Sequence, residues 1–260
     1  MTPWAAFVVS AILAVAGRRL RWLTTGGTVA ATVVGTTILA VAGLRGFLLL
    51  AVFFLSGSAL TYHRGPLPAR RTAQPPVRGR TWRQVMANGG VAAAGALLLP
   101  WAPVAGWAIV TGALAAAQAD TWSTEVGRLA RRPPRLITSG LAVPAGTSGA
   151  ISPLGTLTGM VGAGVMAGCA LLLGIPRASA AAAALGGIVG FLGDSVLGAT
   201  AQGSYRCDAC AAHGEHPVHS CGRSTRLVRG YRWIDNDVVN LVATAIGAGV
   251  AVVGVVSWVW

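Results

Sequence analysis

The sequence predicts an all-α fold: a polytopic transmembrane helical bundle of seven or eight spans, with a small cysteine-containing cytoplasmic loop. Three observations predict it. The 260 residues are 54% hydrophobic and only 10% charged, against about 25% charged in ordinary soluble domains, and mean hydropathy is +0.64. The charges are clustered, which leaves repeated apolar runs, and about 20 apolar residues are what a bilayer-spanning helix needs. All twenty basic Lys/Arg positions are arginine, and they alternate between rich and poor loops.

The apolar runs place spans at 3–16, 24–43, 46–62, 84–101, 104–127, 151–174, 178–202 and 236–259. The first is short and contains Pro3, so the count is seven or eight. No signal-peptide cleavage pattern follows it, so it reads as a retained helix. The 36 glycines and many alanines suit close helix packing in lipid, although a compositional bias explains them equally well. Residues 1–260 read as one integral membrane domain, with 203–233 as its main polar loop.

The loop after span one holds Arg18, Arg19 and Arg21. The loop after span three holds Arg64, Arg70, Arg71, Arg78, Arg80 and Arg83. Arg128, Arg131, Arg132 and Arg135 follow span five, and Arg206, Arg223, Arg226, Arg229 and Arg232 follow span seven. The even-numbered loops hold only Arg45 and Arg177. Because cytoplasmic loops collect arginine, the odd loops are expected inside and the protein in the cell membrane, its active face cytoplasmic.

The seven acids, Asp120, Glu125, Asp194, Asp208, Glu215, Asp235 and Asp237, all fall at or near that same face. A carboxylate within a span costs roughly 2.5–3.5 kcal/mol on insertion scales, so Asp194 needs a partner or a watery cavity. Pairing with arginine or helix capping is the structural explanation, and Asp235 before "NDVVN" suits an N-cap. The functional explanation is a Mg²⁺ site, since Mg²⁺ is held by one or two carboxylates plus substrate phosphates. Its candidate ligands are Asp120, Glu125, Asp194, Asp235 and Asp237, of which Asp120, Glu125, Asp194 and Asp237 are the catalytic candidates. Asp120 and Thr124 share a helix face, as do Thr121 and Glu125. Asp194 and Gln202 are expected to share another, and Asn236 and Asn240 offer neutral oxygens on span eight. Arginines around this spot, Arg135 and also Arg80 or Arg83, suit phosphate oxygens. The "VPAGTSGAISPLG" stretch, with Thr147, reads either as a phosphate nest before span six or as a flexible connection. It is not a Walker A sequence.

Of the four cysteines, Cys169 lies inside span six and reads as a small apolar residue. Cys207 and Cys210 form a C-x₂-C pair, followed by His219 and Cys221. Three sulfurs and a nitrogen suit structural zinc, with His213 and His216 as substitutes. A redox pair and unliganded thiols are the competing readings. A disulfide is disfavoured in a cytoplasmic loop.

The blocks "ADTWSTEVG", "PRLITSG", "VPAGTSGAIS", "GDSVLGATAQ" and "DNDVVN", in this order, with "FFLSGSALTYHR" and "TWRQVMANGG" before them, resemble the integral membrane family that contains animal transmembrane protein nineteen and the plant phytyl-phosphate kinase of vitamin E synthesis. The resemblance runs from about residue 20 to the end. It implies a multi-helix fold related in style to membrane lipid kinases. It also implies transfer of a phosphoryl group from a nucleoside triphosphate (CTP, GTP or ATP) to an isoprenyl monophosphate, giving the diphosphate. By matching block it points to Asn88, Asp120, Thr124, Glu125, Asp194, Gln202, Asp235, Asn236, Asp237 and Asn240. The cysteine loop departs from the animal and plant pattern.

The expected function is therefore a Mg²⁺-dependent, membrane-embedded isoprenyl-phosphate kinase. Its partners are the lipid bilayer, an isoprenyl phosphate and a nucleotide, with no nucleic acid. A lipid-phosphate or ion transporter is the alternative. Weak similarity among "TTGGTVAATVVG", "SPLGTLTGMVG" and "AAAALGGIVGFLGD" hints at the internal repeats common in transporters, whereas the nearly charge-free outer half favours interfacial chemistry. A scaffold without chemistry is a third class.

Overall fold

A hydroxyl or carboxylate caps the start of five of the eight helices in the computed structural model, which describes residues 1–64, 79–210, 212–219 and 221–259. Thr2 caps α1 (Pro3–Arg19), Thr24 caps α2 (Thr25–Val41) and Ser152 caps α6 (Pro153–Leu172). Thr81 and Gln84 form a reciprocal capping box on α4 (Trp82–Leu98). Asp235 Oδ1 accepts the backbone N–H groups of Asp237 and Val238 at 3.1 Å each and so caps α8 (Asn236–Val259). Each cap satisfies donors that a helix start leaves without intrahelical partners. The prolines at the starts of α1, α5 (Pro103–Gly127) and α6 occupy the first turn, where their fixed φ and missing N–H cost nothing; Pro3 therefore starts the first helix instead of weakening it. Gly43, at φ +64°, turns the chain between α2 and α3 (Gly43–Arg64), and α7 spans Arg177–Thr200.

All eight expected spans are helices. Four of them, Gly43–Tyr62, Pro153–Leu172, Arg177–Thr200 and Asn236–Ser257, are long and apolar enough to cross a membrane. Helices α1, α2 and α4 have 17 residues each, or about 26 Å at 1.5 Å per residue, a little under the thickness of the hydrocarbon core. Helix α5 is long, but Gln118 and Asp120 dilute its hydropathy. It is also the central helix, buried continuously from Val110 to Ala119.

Small residues allow this central burial. Gly247 of α8 packs so closely that a Cβ there would stand 2.7 Å from Ala116 Cβ, 2.8 Å from Gly112 O and 3.0 Å from Gly186 O, so α5, α7 and α8 meet backbone to backbone. Interhelical hydrogen bonds reinforce the contact, as is usual in lipid. Thr111 donates to Ser179 O at 3.2 Å, and Thr244 donates to Ala87 O at 3.0 Å.

The loops sort to two ends as the arginine alternation predicts. Arg80 joins the α1–α2 loop, its N–H reaching Trp22 O (2.8 Å) and its carbonyl receiving Thr24 N–H (3.1 Å). Arg83 pairs with Asp235 at 2.7 Å, and Arg229 donates to Ser148 O at 3.3 Å. These contacts link the four odd-numbered loops. At the other end Arg45 donates to Gly174 O at 3.2 Å, linking two even-numbered ones. Arg70, Arg71 and Arg78 lie outside the described residues.

The polar loops carry the small sheets. β1 (Arg135–Leu136) pairs antiparallel with β2 (Ala150–Ile151). β3 (Ser204–Cys207) lies between β4 (Ala212–Gly214) and β5 (Arg226–Arg229), antiparallel to both.

Candidate functional site

Three helices and a loop carry carboxylates to the arginine-rich end, near enough for their charges to act on one another, although among the described residues only the cysteine loop groups three or more metal-ligating side chains closely. Asp120 is two turns from the end of α5 and Asp194 is less than two turns from the end of α7. The charge of Asp194 acts directly against those of Asp120 and Glu215. Asp237, in the first turn of α8, sits among Asp235, Arg83, His216 and Glu215. The charge of Glu215 thus acts on both Asp194 and Asp237. It follows β4 and accepts the hydroxyl hydrogen of Ser148 at Oε1.

Asp194 gives the cluster its character. Its Oδ2 is buried and has no hydrogen-bond partner among the described residues. The structural explanation expected for it, an arginine partner or a cap, is absent there. A carboxylate oxygen buried without a partner, on a group acted on by two like charges, is costly, and such costs concentrate where chemistry needs them. The surrounding cations are Arg83, which also reaches Asp237 at 3.5 Å, and Arg128, whose charge acts on Asp120.

Several expected site residues take other places. Glu125 is five positions from Asp120, so its side chain leaves α5 about 140° away. It accepts a hydrogen bond from Thr61 of α3 at 3.0 Å and lies within the field of Arg80, although its charge also reaches Asp120. The Thr121/Glu125 face therefore turns toward α3, while the Asp120/Thr124 face carries the cluster; Thr124 itself is exposed. Arg80 lies over the Phe53 and Phe54 rings at 5.1 and 5.2 Å, so its charge is held by aromatic faces. Asp235 spends one oxygen on the helix cap and the other on Arg83, which fills the capping role.

The shared helix face expected of Asp194 and Gln202 does not form, because α7 ends at Thr200. Ala201 is the C-cap, and Gln202 N–H turns back to Leu197 O at 3.0 Å. The Gln202 side chain is buried, with Nε2 unpartnered among the described residues. Arg135 is exposed and donates to Gly140 O at 2.7 Å within its own hairpin. Thr147 donates to Pro144 O at 2.7 Å. In the same loop Gly149, at φ +77°, presses its backbone against Ala199, so close packing accounts for that glycine. Asn88 donates to Gln84 O at 2.9 Å, one turn back on α4. Asn240 is half-buried one turn before Thr244, the residue that bonds α4, and Asn236 is exposed at the α8 start.

Glu215 and Arg128 were missed as site residues, and Ser148 was expected only as part of a phosphate nest. Their signal was weak: Glu215 sits in a loop whose cysteines drew the reading toward zinc, and only the pairing of β3 with β4 carries it back to the helices.

The cysteine loop gathers as the spacing predicts. The ligand atoms of Cys207, Cys210, His219 and Cys221 all lie within 4.8 Å of one another, and the Cys207 and Cys221 sulfurs are 3.8 Å apart. Hydrogen bonding with His219 pulls the Cys221 thiol down to about 6. The hydrogen bond with Cys221 pushes Cys210 up to about 11.

Comparison with known proteins adds relatives. The family described as integral membrane protein DUF92 matches residues 8–248. Protein PGR of Arabidopsis thaliana is 32% identical over 92% of this chain and 91% of its own length. An uncharacterized membrane protein of Methanocaldococcus jannaschii is 31% identical over 74% of this chain and 80% of its own. Protein VTE6, chloroplastic, of Arabidopsis thaliana is 27% identical over 95% of this chain and 68% of its own. No solved structure matches the chain.

Proposed function

The chain belongs to the DUF92 integral membrane family, and from that premise we propose that this multi-pass membrane protein is a kinase of isoprenyl monophosphates. In this reading a phosphoryl group passes from a nucleoside triphosphate to the lipid phosphate at the arginine-rich face, and that face is cytoplasmic in the cell membrane. The observation that carries it is the buried Oδ2 of Asp194, which has no hydrogen-bond partner among the described residues and lies where the charges of Asp120 and Glu215 act on its carboxylate. The resemblance to the family of the plant phytyl-phosphate kinase narrows the substrate class.

Carboxylate oxygens are the donors a hard divalent cation prefers, and one of them, Asp194 Oδ2, is without a hydrogen-bond donor among the described residues. One or two of Asp120, Asp194, Asp237 and Glu215 would hold Mg²⁺, with substrate phosphates supplying the remaining oxygens. Bound there, Mg²⁺ supplies charge neutralisation for phosphate oxygens. Arg83 and Arg128 stand beside the acids and suit the remaining phosphate charge. The lipid phosphate is already an ionised nucleophile, so no general base is required. Positioning and electrostatics then account for the rate. The isoprenyl tail stays in the bilayer against apolar helix faces, while the nucleotide reaches the site from the aqueous side. The test is incubation of the detergent-purified protein with Mg²⁺, each of CTP, GTP and ATP, and isoprenyl monophosphates of several lengths. Diphosphate product is expected with at least one pairing. No product from any pairing overturns the reading and favours transport.

A further inference from the structure

We propose that Cys207, Cys210, His219 and Cys221 bind one Zn²⁺, and that this ion clamps the segment that delivers Glu215 to the carboxylate cluster. The four ligand atoms lie within 4.8 Å of one another. Zinc bound at about 2.3 Å to sulfur in a tetrahedron sets its sulfurs about 3.8 Å apart. The Cys207–Cys221 separation is 3.8 Å, the edge of such a tetrahedron and far beyond the roughly 2.05 Å of a disulfide. Three thiolates and an imidazole are a closed, four-coordinate set with no open position. That chemistry belongs to structural zinc, and thiolates disfavour Mg²⁺ or Ca²⁺.

The ligands are spread over the fold in an informative way. Cys207 ends β3 and is fully buried, whereas Cys210 and Cys221 are exposed. Cys210 and His219 bracket β4 and Glu215. The turn after β4 is thin: it is held by the β3–β4 pairing, by Thr225, which donates its hydroxyl to His216 O at 2.7 Å, and by the bridge Val218↔Ser224. An ion fixing both ends of the segment closes a short loop, which lowers the conformational freedom of what lies between. What lies between is the carboxylate that takes the Ser148 hydroxyl and whose charge acts on Asp194 and Asp237. Zinc in one loop therefore orders a second, residues 143–152, through Ser148. The importance of Glu215 to chemistry rests on the kinase reading; zinc binding and loop ordering do not.

The experiment avoids any activity readout, so failure of the kinase reading leaves it standing. Protein purified in detergent from zinc-supplemented medium is analysed by mass spectrometry for metal, then by hydrogen–deuterium exchange before and after treatment with a zinc chelator. About one zinc per chain is expected, falling several-fold in Cys210→Ser and Cys221→Ser and unchanged in Cys169→Ser. Chelation of the wild-type protein, which avoids variants that fail to fold, is expected to speed exchange about tenfold or more in residues 212–218 and also in 143–152. Less than a tenth of an equivalent of zinc, with none taken up from micromolar Zn²⁺, overturns the site. Stoichiometric zinc with unchanged exchange in 143–152 overturns the clamp.

Discussion

Ser148 donates its hydroxyl hydrogen to Oε1 of Glu215. The two residues belong to different loops, one leading into α6 and the other leading out of α7, and this bond ties the loops together over the cluster. Arg229 strengthens the tie by donating to Ser148 O at 3.3 Å and to Gly198 O at 3.1 Å. Of the two readings the sequence leaves open for residues 143–155, a phosphate nest or a flexible connection, these bonds show a loop tied to its neighbour.

Glu215→Gln keeps an acceptor for Ser148 but removes a charge from beside Asp194 and Asp237. Thermal stability in detergent is expected to stay level or rise. The Mg²⁺ concentration needed for half-maximal diphosphate formation is expected to rise about tenfold, within the range for lost partners around a metal site. A Mg²⁺ titration of wild type and variant checks it. An unchanged requirement would remove Glu215 from the cation site.

Asp194→Asn tests whether the cluster is built for chemistry or for packing. The native carboxylate has an oxygen with no donor among the described residues and is acted on by two like charges. Neutralising it should stabilise the fold or leave it unchanged, the usual pattern where function costs stability, while product formation falls at least a hundredfold. A fall in melting temperature with retained turnover would make Asp194 a structural residue.

Asp235 and Asp237 are two positions apart and separate by role. Asp235→Ala loses an N-cap, which costs about 0.5–2 kcal/mol, and should lower the unfolding midpoint. Asp235→Asn keeps the cap and should recover most of that loss. Asp237→Asn is expected to change stability little and to abolish turnover. Denaturation in detergent, run beside the kinase assay, distinguishes the two.

Helix positions were legible because apolar runs and arginine clusters report directly on burial and loop side. Asp235 as an N-cap was legible for a similar reason, since capping is local. What did not transfer was angular. Asp120 and Glu125 looked like one pair, yet the 140° between them sends one to α7 and the other to α3. Gln202 looked like a helix residue because its neighbours are apolar, but α7 ends two positions earlier. Glu215 depended on a tertiary pairing that no local pattern encodes. The gathering of Cys207, Cys210, His219 and Cys221 was legible because sulfur and imidazole have few other reasons to recur at such spacing.

Gly247→Val bears on the geometry that all the site residues share. A Cβ at 247 would meet Ala116 Cβ at 2.7 Å, Gly112 O at 2.8 Å and Gly186 O at 3.0 Å. Two of those three atoms are backbone, so no rotamer change relieves the contact, and the helices must separate. Overpacking of this kind costs about 1–3 kcal/mol. Asp120 follows Ala116 by one turn on α5, and Asp194 follows Gly186 by about two turns on α7. Spreading the seam should therefore part the carboxylates as well. The expected outcome is a lower unfolding midpoint together with a higher Mg²⁺ concentration for half-maximal activity, although residue 247 itself lies about three turns from Asp237. Gly249→Val is the control, since a Cβ there meets nothing within 4 Å, and it should leave both measurements unchanged. Equal behaviour of the two variants would show that the cluster's geometry is not set by this helix seam.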